Sequence, residues 1–124
     1  MRIVIPVKDE AGIESNLSEH FGRAPYFAII ELDEELRVVE IKAIPNISRH
    51  MGGGRRGLPP DHILNLSPDV VIVPGMGPRA LIRFQEARVP VMKAVNWTVG
   101  RNIEAFRKDS LEELTEGCHE AKYR

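Results

Sequence analysis

The first half of the chain shows short apolar runs separated by polar turns. Residues rich in β-branched side chains run from Arg2 to Val7 and from Tyr26 to Leu32, and a run of mixed polarity extends from Leu36 to Ile41. Such runs are typical of β-strands, and the turn Asp33-Glu34-Glu35 between the last two predicts an antiparallel hairpin. The pattern therefore predicts a meander whose third strand lies at a sheet edge.

From Leu58 onward, helical and strand patterns alternate. Pro59-Pro60 predicts the start of a helix that ends near Ser67-Pro68, and the aliphatic run Asp69–Val73 predicts a strand that is buried on both faces. Apolar residues then recur at helical spacing, at Ala80, Leu81, Phe84 and Ala87. A further strand is predicted from Val89 to Val95.

The last part of the chain predicts two helices. Thr98 is a suitable N-cap for a helix through Phe106, and Ser110-Leu111-Glu112-Glu113 resembles the capping box that begins a final short helix. Strands joined by helices pair in parallel through right-handed crossovers. We therefore predict one α/β domain over residues 1–124 with a mixed sheet of about five strands, and a tail from about residue 115 that can be disordered.

Size and charge narrow the possible partners. The chain has 124 residues, the ordinary length of one domain, and a formal net charge of -1, so no global field attracts nucleic acid or an anionic membrane. The apolar run Ile3–Ile5 is too short for a signal peptide or a membrane span, which predicts a cytoplasmic protein. The single cysteine excludes an internal disulfide and a zinc site made of several thiolates.

The loop before the second strand carries the first candidate site. In Ser18-Glu19-His20-Phe21-Gly22-Arg23-Ala24-Pro25-Tyr26-Phe27, an imidazole and a guanidinium lie in a glycine-containing loop that a strand holds in place. His20 could ligate a borderline metal or move a proton, and Arg23 suits an anionic ligand. The alternative is that His20 makes local hydrogen bonds.

A second candidate lies between a buried strand and a helix, at Gly75-Met76-Gly77-Pro78-Arg79. The first amides of a helix have no partners within it, and together with the helix dipole they favour an anion. The alternative is a tight turn with a solvated Arg79.

Two further segments contain metal-binding side chains. His50 and Met51 precede a glycine-rich stretch with Arg55 and Arg56, which could close over a bulky anionic ligand or could be a disordered surface loop. Cys118-His119 could contribute metal ligands, but neighbouring glutamates disfavour a thiolate, so an inert frayed tail is the alternative.

Four segments in order resemble the dinitrogenase iron-molybdenum cofactor biosynthesis family. They are Ile3–Val7, Ser18–Phe27, Gly75–Ala80, and Thr98-Val99 leading to Ile103–Phe106. The resemblance implies a ribonuclease-H-like three-layer fold without nuclease activity, in a family that includes nitrogenase cofactor carriers and an orange protein with a molybdenum-copper sulfide cluster. It also implies that His20, Phe21, Gly22 and Arg23 line a cluster site, with the Gly75 turn nearby.

These observations predict a carrier that is not an enzyme. It would bind an iron-molybdenum, molybdenum-copper or iron-sulfur cluster through His20, with the arginines and the Gly75 turn around it, and exchange the cluster with a donor or acceptor protein. The alternative is a metal-free adaptor for a protein or a small anionic metabolite. A hydrolase or nuclease is disfavoured because the sequence shows no nucleophile elbow, P-loop or clustered strand carboxylates. The apolar hairpin edge could pair with a second copy of the chain.

Overall fold

The protein is built on one mixed β-sheet. The computed structural model describes residues 1–46 and 59–116, and in these residues the sheet has six strands: β1 (Arg2–Val7), β2 (Tyr26–Leu32), β3 (Val38–Pro45), β4 (Val70–Val73), β5 (Val91–Lys93) and β6 (Glu112–Glu113). Their order is β3-β2-β1-β4-β5-β6. β1, β4 and β5 are parallel, whereas β2, β3 and β6 run antiparallel to their neighbours. The predicted meander, the parallel strands and the edge position of β3 are confirmed.

Helices cover both faces of this sheet. They are α1 (Pro59–Leu64), α2 (Pro78–Glu86) and α3 (Val99–Arg107). Alternate residues of β1 and β2 point to opposite faces. Ile3 and Ile30 pack in one core cluster with Ile103 of α3, and Val4 packs in the other with Phe84 of α2. Ile63 of α1 belongs to the second cluster, so α1 and α2 share one face and the predicted three-layer arrangement is confirmed.

The hairpin between β2 and β3 is longer than predicted. The Asp33 carboxylate accepts hydrogen bonds from the amides of Arg37 and Glu35, each at 2.9 Å from Oδ1, and Leu36 adopts a φ of 65°. The amide of Arg37, helped by that of Glu35 and by the Arg37 guanidinium, lowers the pKa of Asp33 below its ordinary value. Because these bonds hold Leu36 and Arg37 in the turn, the third strand begins at Val38 and not at Leu36, and it continues to Pro45.

The predicted final helix is wrong. Asp109 follows α3 with a φ of 57°, and the Ser110 amide donates to the Ala105 carbonyl at 2.8 Å, so the chain reverses immediately after α3. Leu111 is then buried in the core cluster under α3. Glu112 and Glu113 pair with Lys93 and Met92 of β5, and the free hydrogen-bonding edge of β5 therefore converts the predicted helix start into strand β6.

In the described part of the chain, no helix is long and apolar enough to cross a membrane.

Candidate functional site

The loops that carry both candidate segments meet at one edge of the sheet. β1 and β4 are parallel neighbours, so their carboxyl ends lie together, and the 75–77 turn directly follows β4. β2 is antiparallel to β1 with Tyr26 opposite Val7, which places the loop of residues 18–25 at this same edge. The carboxyl edge of parallel strands is where open α/β sheets bind ligands.

Two polar side chains fix the loop that carries His20. The Ser18 hydroxyl donates to the His20 carbonyl at 2.9 Å, and its oxygen accepts from the His20 amide at 3.3 Å. Asn46, fully buried after β3, donates from Nδ2 to the carbonyl of Gly22 at 3.1 Å and to that of Ala24 at 2.9 Å. The backbone of His20 is therefore fixed while its side chain is exposed.

Phe21 and Met76 anchor the two candidate segments in the same core cluster. Both side chains are buried in the core cluster beneath α2, and the Phe21 ring lies 5.3 Å from the Phe27 ring and 5.7 Å from the Phe84 ring, measured between centroids. Their side chains are thus part of the hydrophobic core. In the site they hold the two segments at the same edge and the same face of the sheet.

The turn after β4 leads into an uncapped helix. Gly77 is the N-cap residue of α2 and Pro78 is the first helical residue, and within residues 1–46 and 59–116 no side chain accepts a hydrogen bond from the amides of the first turn. Arg79 lies in this turn with its side chain exposed. The amides of the first turn and the guanidinium provide positive potential beside the loop that carries Arg23.

Neither Gly22 nor Gly77 is required by the fold. A Cβ atom added at either position would meet no atom of the described residues within 4 Å, and neither residue has a positive φ. Gly100 differs, because a Cβ there would lie 2.8 Å from Cγ1 of Ile13. Gly22 and Gly77 therefore leave open space at the candidate edge.

A third loop, between β5 and α3, completes this edge. The side chain of Asn102 donates to the carbonyls of Asn96 and Thr98, both at 2.8 Å, and accepts from the Val95 amide at 2.9 Å. The loop presents Trp97, which is 53% exposed, and its backbone carbonyl accepts from the Leu17 amide at 2.8 Å. The loops before β2 and after β5 are thereby joined.

Among residues 1–46 and 59–116, no group of three or more His, Cys, Asp or Glu side chains is placed to hold a metal ion, so His20 is the metal-ligating candidate at the edge in that part of the chain. Several predicted residues lie outside the described ranges, namely His50, Met51, Arg55, Arg56, Cys118 and His119.

Two asparagines fix the loops at this edge, and neither is among the site residues predicted from the sequence. Asn102 falls in the apolar stripe of α3 with Val99 and Ile103, and a polar residue in a buried stripe signals a hydrogen-bonded role. Asn46 carries no such signal, because it follows a strand and its partners lie 22 and 24 residues earlier.

Comparisons with known proteins agree with this fold. The chain is 30% identical over 115 residues to the uncharacterized protein MJ0580 of Methanocaldococcus jannaschii, covering 92% of each protein. The crystal structure of PH0822 superposes with a TM-score of 0.74 at 30% identity, covering 93% of this chain and 97% of that one. The apo form of the orange protein from Desulfovibrio gigas has the same fold, with a TM-score of 0.77 at 19% identity over 93% of each chain.

The family model described as dinitrogenase iron-molybdenum cofactor matches residues 1–109, which include the His20 loop, the Gly75 turn and the described helices α1, α2 and α3. The chain therefore belongs to the dinitrogenase iron-molybdenum cofactor family.

Proposed function

We propose that the protein is a non-catalytic carrier that binds an anionic metal-sulfur cluster at the carboxyl edge of its sheet. The observation that supports the proposal is that the exposed His20 and Arg23 lie in a loop at the same edge of the sheet as the uncapped first turn of α2, which carries the exposed Arg79. One imidazole fits a cluster that brings its own sulfide ligands, and the cationic groups offset its negative charge.

The open space at Gly22 and Gly77 supports a bulky ligand. Neither glycine is needed for a turn or for close packing, and the absence of a side chain at each position leaves space that a ligand can occupy. The family description names an iron-molybdenum cofactor, and this supports a molybdenum- or iron-containing sulfide cluster as the class of ligand, which the fold alone does not specify. We propose the same class for this chain.

A protein that donates or accepts the cluster would contact the same edge. Val95 and Trp97 are 58% and 53% exposed there, and exposed apolar side chains beside a ligand site are suited to a protein interface. These two side chains also favour the second candidate function, a metal-free adaptor that binds its protein partner at this edge.

The direct test is anaerobic reconstitution with tetrathiomolybdate and copper, or with iron and sulfide, followed by desalting. We expect the visible absorption and the metal to remain with the protein, and the fluorescence of Trp97, the single tryptophan, to be quenched. His20→Ala should lose most of the retained metal, whereas His62→Ala, on α1, should retain it.

Two arginines at opposite ends of α2 test whether positive charge at the candidate edge contributes to cluster retention. Arg79 lies in the first turn of α2 and Arg88 follows its last turn, at the opposite edge of the sheet. Arg79→Gln should weaken retention and Arg88→Gln should not. Equal retention by wild type, His20→Ala and Arg79→Gln would contradict the proposed site, and freshly prepared protein that retains no cluster but binds a protein partner would establish the adaptor.

A further inference from the structure

The outer edge of β3 is a second candidate for binding. β3 lies at the end of the sheet order and pairs with β2 on one side, so its other side presents backbone N–H and C=O groups that no described strand uses. Natural edge strands are usually protected by charge, proline or a bulge, because they otherwise recruit further strands. β3 carries such features in Lys42, in Pro45 and in a bulge at Val39, so a strand that pairs with it has to complement its charges.

The two charges of β3 lack counterions within the described residues. Glu40 lies opposite Glu31 of β2, and Glu31 is already paired with Arg2 of β1. Lys42 lies opposite Ile29, and neither Glu40 nor Lys42 forms an ion pair in the described part of the chain. Like charges directly opposite in a sheet are unfavourable, so Glu40 would be stabilised by a positive charge on its other side.

We propose that β3 pairs antiparallel with β3 of a second copy of this chain, centred on Ile41. In that register Ile41 faces Ile41 of the second copy, and Glu40 faces Lys42 in both symmetry-related pairs. A two-fold axis perpendicular to the sheet keeps paired side chains on the same face, and it joins the two sheets into one.

The charges also select this register. A slip that centres the axis on Glu40 places the two glutamates against each other, and a slip that centres it on Lys42 opposes the two lysines. Because register is set by which side chains meet across the strands, the alternation of Glu40, Ile41 and Lys42 favours one antiparallel pairing of identical strands.

Pairing of this kind leaves the candidate cluster edge free. The two copies run in opposite directions, so their carboxyl edges lie on opposite sides of the joined sheet, and each copy keeps its own His20 loop. Association and cluster binding are consequently separate properties, and the failure of one proposal leaves the other unaffected.

Sedimentation velocity on wild type from micromolar to millimolar concentration tests the pairing. We expect a reversible dimer that weakens as salt is added, because the paired charges are exposed. Glu40→Lys and Lys42→Glu should each raise the dissociation constant by about tenfold or more, since each places like charges opposite one another twice. An equimolar mixture of these two variants should dimerise again, since every pair in the mixed dimer then joins opposite charges.

Lys108→Glu, at the end of α3, is the matched control, because it makes the same change in net charge as Lys42→Glu away from the edge. Circular dichroism confirms that each variant folds. A wild type that is monomeric at every concentration would overturn the proposal, and so would a dimer that persists unchanged in both single variants or a mixture that does not associate.

Discussion

At the scale of the residue, the side chain of Asn46 determines where the His20 loop lies. Its amide group donates to two loop carbonyls, and its own backbone amide donates to the Pro25 carbonyl at 3.0 Å. The Oδ1 atom is buried and accepts no hydrogen bond from the described residues. The hydrogen bonds of the Asn46 side chain therefore go to these two loop carbonyls, and we expect substitutions of Asn46 to be poorly tolerated.

Asn46→Asp keeps the size of the side chain and removes both donors. We expect the free energy of unfolding to fall by about 2–3 kcal/mol, because two loop carbonyls lose their partner and face a carboxylate. Hydrogen exchange should become faster in residues 20–24. Asn65→Asp, an exposed position, should change stability by less than about 0.5 kcal/mol. Unchanged exchange in the loop of the Asn46 variant would contradict the role assigned to this side chain.

Gly77 offers a way to separate stability from binding. Gly77→Ser and Gly77→Asp each supply the side-chain cap that α2 lacks, so the free energy of unfolding should rise, by a few tenths of a kcal/mol for serine and by about 0.5–1 kcal/mol for aspartate. The added carboxylate also lies at the proposed anion site. Cluster retention after desalting should therefore fall in both variants, because either side chain fills the open space and occupies amides of the first turn, and it should be about five- to tenfold lower in Gly77→Asp than in Gly77→Ser. Equal retention by both variants would argue against an anionic ligand there.

At the scale of the element, α2 ends in a turn that normally uses glycine. The Val89 amide donates to the Phe84 carbonyl at 2.9 Å, and the Arg88 amide to the Gln85 carbonyl at 3.0 Å, which closes the helix with Arg88 at a φ of 62°. A side chain disfavours this left-handed conformation, whereas glycine adopts it freely.

Arg88→Gly should therefore raise the free energy of unfolding by about 1 kcal/mol, as measured by chemical denaturation. Glu86→Gly, two residues earlier and inside the helix, should lower it by a similar amount, because glycine has the lower helical propensity there. Destabilisation by both glycine variants would show that the left-handed conformation of Arg88 costs little free energy.

Element types could be predicted where one local pattern dominated. The strands of the meander, the buried strand β4, and the helices α2 and α3 follow from apolar periodicity, and the Thr98 hydroxyl accepts from the Arg101 amide at 3.4 Å as an N-cap should. The capping residues of the segment from Ser110 to Glu113 are a local signal, and they predict a helix that the structure does not have. The segment forms a strand because it pairs with the edge of β5, and the position of that edge is a tertiary feature that the local sequence does not contain.

At the candidate site, the exposed polar side chains could be predicted from the sequence, whereas the buried side chains that hold their loops in place could not. His20, Arg23 and Arg79 could be chosen because charged and imidazole groups in loops suggest chemistry. The roles of Phe21 and Met76 as buried anchors depend on the position of α2 over the sheet, and the role of Asn46 depends on bonds across 22 and 24 residues.

At the scale of the whole molecule, the parallel pairing of β1 with β4 joins distant parts of the chain. Ile3 lies beside Val70 and Val4 beside Val71, and this contact sets the His20 loop next to the turn at residues 75–77. Closing so long a loop is slow relative to forming a hairpin. During synthesis, the β1–β2–β3 meander can thus form while the ribosome is still translating α2. A nascent chain at that stage presents half of the proposed cluster edge, so under the proposed function loading would have to wait until translation has passed beyond α2.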